Sequence, residues 1–392
     1  MNILYFFEYA PDPQRGGASR LTRSLINYWD KERKDFSFYC AYLKKEKNYI
    51  TYFKDEILLD LNDKIQFTSF LDKNQISIIV YQMAFSKEYF DYVKECNHNN
   101  IPIITVYHSM PGWELLHIKN ILTHTSWYQA GVNGLIKKIL LPLYLKYANK
   151  LIQRKNSYIY KGSSKYVVLS SKYIPLFKKI NNLAEGSKLY AISNPLSYPE
   201  QTNIDFHKKR KQVLIVGRFS ESEKRFLLAL KAWKEFNSQR ITNTWELIII
   251  GFGKDENIYK EYARKNKLNN VKFIGKQDPL EYYKKASIFL MTSAFEGFGL
   301  TLTEAQQFGV VPIVMNSFPS LHDIIINDFN GIIVPNNDTK AMCIALTDLI
   351  TNQKKREYLA QNGLYYVNKF SVKNIAQEWE NLFNNFKKWS QE

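Results

Sequence analysis

The nonapeptide Glu296-Gly-Phe-Gly-Leu-Thr-Leu-Thr-Glu304 sets two carboxylates eight positions apart around a Gly-x-Gly turn. Gly297 and Gly299 let the backbone bend tightly and bare amides that a side chain would cover. Leu300 is expected to open a short helix running to Gly309, a residue suited to the left-handed position that ends a helix. The first-turn amides, here those of Phe298, Gly299 and Leu300, carry partial positive charge and form an anion site. Glu304, one turn in, can accept two hydroxyl hydrogen bonds of the kind a ribose offers. Glu296, before the turn, can reach a second polyol on the far side of the anion. Polyol, phosphate and ribose in a row describe a nucleotide sugar.

A second cluster has the same flavour. Gly217 and Arg218 follow the apolar run Gln212 to Val216, and Lys224 lies six residues further on. Arginine as a fork and lysine as a point charge could together straddle a diphosphate.

These residues need a scaffold that ends strands where loops begin. Apolar runs at Ile3–Phe7, Ser37–Tyr42, Ile76–Tyr81, Ile101–Tyr107, Tyr166–Leu169 and Leu189–Ile192 alternate with helical patterns. After the polar linker from Asn194 to about Lys211 the alternation resumes. Its strands are expected at Gln212–Val216, Trp245–Ile250, Val271–Ile274, Ile288–Met291, Val310–Met315 and Gly331–Val334. Strands alternating with helices predict parallel, doubly wound α/β sheets, whose ligands sit at the carboxyl ends of the strands. At 392 residues the chain exceeds what one core serves, so two domains are expected.

The segment Val271 to Val334 resembles glycosyltransferase family 4, retaining enzymes of GT-B fold. The matching residues are Val271-Lys-Phe-Ile-Gly-Lys276, the Glu296 to Glu304 nonapeptide, Gly309-Val-Val-Pro-Ile-Val314, Asp323-Ile-Ile and Asn330-Gly-Ile-Ile-Val334. Upstream, Val216-Gly217-Arg218-Phe219 with Lys224, and Ile250-Gly251-Phe252-Gly253, resemble earlier elements of the same domain. The resemblance is strong over roughly residues 211–375 and thinner before them. It implies two doubly wound Rossmann-like domains facing across a cleft. The expected boundaries are 1–197 for an acceptor-side domain, 198–371 for a nucleotide-sugar-binding domain, and 372–392 for a helix returning to the first.

The same resemblance implies roles. Arg218 and Lys224 would hold the donor pyrophosphate, Glu296 the transferred sugar, and Glu304 the ribose. Lys276 matches where the family's backbone holds the nucleobase. Gly16 and Gly17, in the loop after the first strand, would bring amides to the donor phosphate and anomeric carbon. His108, at the end of the strand Ile103–Tyr107, resembles the family's active-site histidine, which contacts the donor sugar. The chain has no Asp-x-Asp, the metal-binding signature of the other common glycosyltransferase architecture, so neither an essential metal nor another cofactor is expected.

Composition bounds the setting. Three scattered cysteines, Cys40, Cys96 and Cys343, argue for a reducing compartment. The opening Met1-Asn-Ile-Leu-Tyr-Phe-Phe has no basic n-region, and no run reaches ~18 apolar residues, so a cytoplasmic protein is expected. The net charge of +17 is concentrated: residues 115–184 hold twelve Lys and Arg and no acid. Leucines and tyrosines are interleaved with these cations, which suits a segment lying on the inner face of an anionic membrane. A solvated helix is the plain alternative. Nucleic acid is not expected, because no nucleic-acid motif accompanies the charge.

Taken together, these features predict a retaining transferase that moves a sugar from a UDP-sugar, or secondarily a GDP-sugar, to a glycan or lipid-linked acceptor. The rivals are a sugar-nucleotide epimerase of the same fold and a non-catalytic sugar-binding subunit of a membrane glycosylation complex. Oligomeric state is not legible.

Overall fold

The computed structural model describes residues 1–12, 17–45, 49–124, 139–184, 186–201, 204–239 and 244–387. It divides into two compact units: residues 1–115, 140–197 and 370–392, and residues 116–139 and 198–369.

The first unit is built on seven strands: β1 (Asn2–Tyr9), β2 (Ser37–Lys44), β3 (Asp55–Leu58), β4 (Ile78–Tyr81), β5 (Ile103–Tyr107), β6 (Lys165–Val168) and β7 (Leu189–Ala191). They form one parallel sheet in the order β3-β2-β1-β4-β5-β6-β7. Helices cover both faces of such a sheet, so its central strands read as unbroken apolar runs. All four residues of β4 and all five of β5 are buried. Strand β3, Asp-Glu-Ile-Leu on the sheet edge, was not among the expected strands. Its ends are half-buried to exposed, and it lacks the apolar run that marked the others.

The helix Val372–Lys387 belongs to this unit and lies against the helix Gly17–Glu32. Ile375, Ala376, Trp379, Leu382 and Phe383 recur at helical spacing and are buried. The anchor is polar. Trp29 donates from Nε1 to Glu380 Oε1 at 2.9 Å, and Arg33 pairs with Glu380 Oε2. Glu380 is buried, so Glu380→Ala leaves an indole N–H and part of a guanidinium without this partner. The loss should be about 2–3 kcal/mol, with less lost in Glu380→Gln. Denaturant unfolding followed by Trp fluorescence measures it, and unchanged stability would show the contact to be dispensable.

The second unit has six strands: β8 (Gln212–Val216), β9 (Glu246–Ile250), β10 (Val271–Gly275), β11 (Ile288–Met291), β12 (Val311–Met315) and β13 (Ile332–Val334). They are parallel in the order β10-β9-β8-β11-β12-β13. Its core joins Trp233, Leu247, Ile249, Leu290, Ile313 and Leu346. In both units the chain reverses its direction of travel across the sheet at one place, between β1 and β4 and between β8 and β11. Loops diverge there and leave a crevice at the carboxyl ends of the strands.

Candidate functional site

In the second unit the loop after β8 carries Gly217, Arg218 and Lys224, and the loop after β11 carries Ser293 and Glu296. The strands are neighbours only in the fold, with Ile288 beside Val213. That adjacency brings Lys224 Nζ to 2.5 Å from Glu296 Oε1. Ser293 Oγ donates to the same oxygen at 2.6 Å. Both charged side chains are mostly covered, at 20% and 15% exposure. The sequence placed these two residues in one site, and the structure makes them direct partners.

Arg218 is placed differently. Its side chain is 66% exposed and its Nη2 contacts Glu223 Oε2 at 3.0 Å. Glu223 also meets His117, whose Nδ1 lies 3.4 Å from Oε1. The two cations expected to act as a pair thus face different carboxylates.

The floor of this region is backbone. Gly217 N donates to Ile250 O, and Gly251 N to Gly275 O, each at 3.0 Å. A Cβ on Gly251 would fall 1.8 Å from Gly217 O, so only glycine allows these loops to pack. Lys276, just beyond, sets its ammonium 4.9 Å from the centre of the half-exposed Phe252 ring.

The helix Leu300–Gln307 starts as expected. Gly299 takes φ +109° at its amino end, and Leu300 is the first helical residue. The helix stops at Gln307, and Gly309 adopts the left-handed φ of +65°. Phe298 is buried, and its carbonyl accepts from Ser320 Oγ at 2.9 Å. Glu304, the expected ribose ligand, is covered. It is 2% exposed, and its Oε2 accepts from the fully buried Tyr283 hydroxyl at 2.9 Å. One turn into the helix points the side chain back into the unit, where the helix Leu280–Lys285 supplies the phenol.

In the first unit, His108 follows β5 and Gln82 follows β4, adjacent strands at the carboxyl edge. His108 Nε2 meets Gln82 Oε1. An amide oxygen only accepts, so Nε2 carries the proton and Nδ1 remains an acceptor. Burial holds the imidazole down at about 4, neutral at physiological pH. A cavity of about 30 Å³ opens beside it, lined in part by Gln82, Thr22, Ser193 and Asn194. That is room for one water. Gly17 begins the helix Gly17–Glu32, and Gly16 lies outside the described residues.

A histidine held at about 4 against an ordinary 6.5 binds fewer protons folded than unfolded between those values. Its contribution is therefore complete above pH 6.5 and is lost as pH falls towards 4. At pH 5 the loss should be ~2 kcal/mol. Comparing unfolding at pH 7.5 and 5.0 in wild type and His108→Asn isolates it, since carboxylates titrate alike in both. An identical pH dependence in the two proteins would show that the imidazole is not held neutral.

Sequence reasoning did not single out Gln82, Ser293, Glu223 or Arg225. Gln82 and Ser293 follow strands β4 and β11, and that position alone could have flagged them.

Residues 199–364 match the Glycosyl transferases group 1 family. The match covers this segment, most of the second unit, and not the rest of the chain. The capsular polysaccharide biosynthesis glycosyltransferase CapM of Staphylococcus aureus is 33% identical over 150 residues, 37% of this chain and 39% of CapM. An alpha-1,4-N-acetyl-D-galactosaminyltransferase of Campylobacter jejuni is 25% identical over 191 residues, 48% of this chain and 52% of the enzyme. Its name specifies a glycan on diNAcBac-PP-undecaprenol. The chain spans about half or less of the length of these curated relatives. Among solved structures, the lipopolysaccharide outer core galactosyltransferase WaaB aligns with a TM-score of 0.71 at 17% identity, over 98% of this chain and 100% of WaaB. At that identity the likeness shows fold. The fold is GT-B, with two Rossmann-like units, as the sequence led us to expect.

Proposed function

We propose that this chain is a retaining glycosyltransferase that moves a sugar from a nucleoside diphosphate-sugar, a UDP-sugar in the first instance, to a carbohydrate acceptor. The observation that carries the reading is the Lys224–Glu296 pair with Ser293, at the place where β8 and β11 diverge. A mostly covered cation next to a mostly covered carboxylate suits a ligand that offers a phosphate to one and hydroxyls to the other. Lys224, with Arg218 at the rim, would neutralise charge on the departing nucleoside diphosphate, and the first-turn amides of the helix Leu300–Gln307 would add to it. Glu296 would hold hydroxyls of the transferred sugar. Glu304 would meet the ribose.

In the reaction, the acceptor hydroxyl oxygen bonds to the anomeric carbon as the bond from that carbon to phosphate oxygen breaks. The electron pair leaves with the diphosphate. The acceptor proton passes to that phosphate oxygen on the same face, which retains configuration. His108, neutral, would act by hydrogen bonding to the donor sugar, and Gly16 and Gly17 would bring amides to the phosphate. No step calls on a metal ion.

Two features support an acceptor at a membrane surface. The Campylobacter relative is named for a polyprenyl-linked substrate. The helix Leu141–Gly162 presents an exposed apolar row beside a cationic one. Among the described residues, no helix is long and apolar enough to span a membrane, so contact at the surface is the form proposed. The acceptor would be a lipid-linked or surface polysaccharide intermediate.

Screening UDP-, GDP- and ADP-sugars by thermal unfolding tests the donor. A ligand at ~100 times its dissociation constant adds about 2.7 kcal/mol, or ~5–10 °C for a unit of this size. A panel with no shift removes the reading. Conversion of a free nucleotide sugar to its epimer without acceptor would favour the epimerase instead.

A further inference from the structure

Arg225 stands between Lys224 and the helix Phe226–Ser238, with φ 51° and ψ 44°. This left-handed conformation is one that a long L side chain seldom adopts and that glycine adopts freely. The side chain accounts for arginine here. Its Nε donates to Thr292 O at 2.7 Å and its Nη2 to Ser293 O at 2.7 Å. Nη2 also reaches Asn336 Oδ1 at 2.9 Å, and Nη1 reaches Asn337 Oδ1 at 2.6 Å. One guanidinium therefore ties the turn after β8 to the loops after β11 and β13.

The tie is not redundant scaffolding at a distance from the chemistry. Thr292 and Ser293 begin the loop that carries Glu296, and Ser293 Oγ is the hydroxyl on Glu296 Oε1. The same two loops are stitched by Thr292 Oγ1 donating to Lys224 O at 2.8 Å and Ala294 N to Glu223 O at 2.6 Å. Ser317 Oγ adds a bond to Ser293 O at 2.5 Å. Burial pulls the guanidinium down to about 10, with the charge of Glu221 opposing that shift, so it stays cationic at neutral pH. Its four acceptors are neutral oxygens, which a planar fork can serve together and a lysine ammonium cannot.

We propose that Arg225 is a positioning residue that holds the Glu296 loop in register with Lys224, so that one donor can meet both. The proposal rests on the donor reading above. It separates two properties: grip on the diphosphate, which Lys224 and Arg218 give, and placement of the sugar, which needs the loop in register.

Arg225→Gly tests it well, because glycine takes the left-handed turn without strain and leaves the backbone bonds intact. The nucleotide base that stabilises the wild type in the thermal screen is then used, as free diphosphate and as its sugar conjugate. Diphosphate affinity should stay within about threefold, while turnover of the conjugate, by transfer or hydrolysis, falls about 30-fold or more. Millimolar guanidinium ion should restore part of the turnover in Arg225→Gly, and sodium at equal ionic strength should not. Arg225→Lys should remain slow. Turnover within about threefold of wild type overturns the proposal. So does a joint fall in diphosphate affinity and turnover that guanidinium does not relieve, which marks mere collapse of the turn. A wild type that binds none of UDP, GDP and ADP removes the donor reading itself, a different failure.

Discussion

Lys224→Gln should lower turnover about 10²–10³-fold, the range expected when a preorganised charge is removed from a developing anion. The ammonium is only 20% exposed and sits 2.5 Å from Glu296, so water replaces it poorly. Glutamine keeps most of the length and some hydrogen bonding but none of the charge. The loss should also appear in affinity for free nucleoside diphosphate, where a charge-assisted hydrogen bond is worth roughly 1.5–3 kcal/mol. Glu296→Gln should behave differently: diphosphate affinity is retained while turnover of the sugar conjugate falls. Arg218, 66% exposed and shared with Glu223, should matter less than Lys224, within about tenfold. Wild-type turnover is expected to persist in EDTA. Steady-state kinetics and calorimetry measure all of this. Turnover in Lys224→Gln within about threefold of wild type would take Lys224 out of the donor site.

The order of importance among these side chains was not legible from the sequence. Strands were, because central strands of a parallel sheet are covered on both faces and read as apolar runs such as Ile-Ile-Val-Tyr in β4. The edge strand β3 was missed for the complementary reason. Glu296 and Lys224 could be assigned to one site by resemblance, but their ion pair depends on β8 lying beside β11, and strand order leaves no periodic trace. The same holds for His108 and Gln82, which meet only because β4 and β5 are neighbours. Glu304 is legible as a ribose ligand from its place one turn into the helix, but nothing in the nonapeptide shows that it is covered. Tyr283, from another helix, is what buries it. Nothing in the sequence sets Arg225 apart in a chain with 54 lysines and arginines. Its left-handed turn and four acceptors exist only in the fold.

The basic segment shows how structure narrows a compositional expectation to a face. Lys137 and Lys138 lie outside the described residues. Lys155 is paired with Glu114 at 3.1 Å, and Lys165 sits over the Tyr190 ring, so neither is a free contributor. Of the eight cations left, three stand beside an apolar row on the helix Leu141–Gly162. Leu143, Tyr147 and Leu151 recur every four residues and are 66%, 62% and 46% exposed. Lys146, Lys150 and Arg154, three positions on from each, are exposed beside them. Ala148, Asn156, Ile159 and Tyr160 are buried. An apolar row with a cationic flank matches the boundary between acyl chains and anionic headgroups. Each cation near such a surface is worth about 1 kcal/mol, and the leucines and tyrosine add apolar burial of comparable size. Substituting Lys146, Lys150 and Arg154 by Gln together with Leu143 and Tyr147 by Ser should weaken binding to anionic vesicles ~10³-fold. Binding by the wild type should need anionic lipid and fade as salt shortens the screening length below ~8 Å. Transfer to a soluble acceptor should be unaffected, because none of the five residues is assigned to the donor site. Equal sedimentation with neutral and anionic vesicles, or with neither, would return this helix to being a solvated one whose exposed leucines have no membrane role.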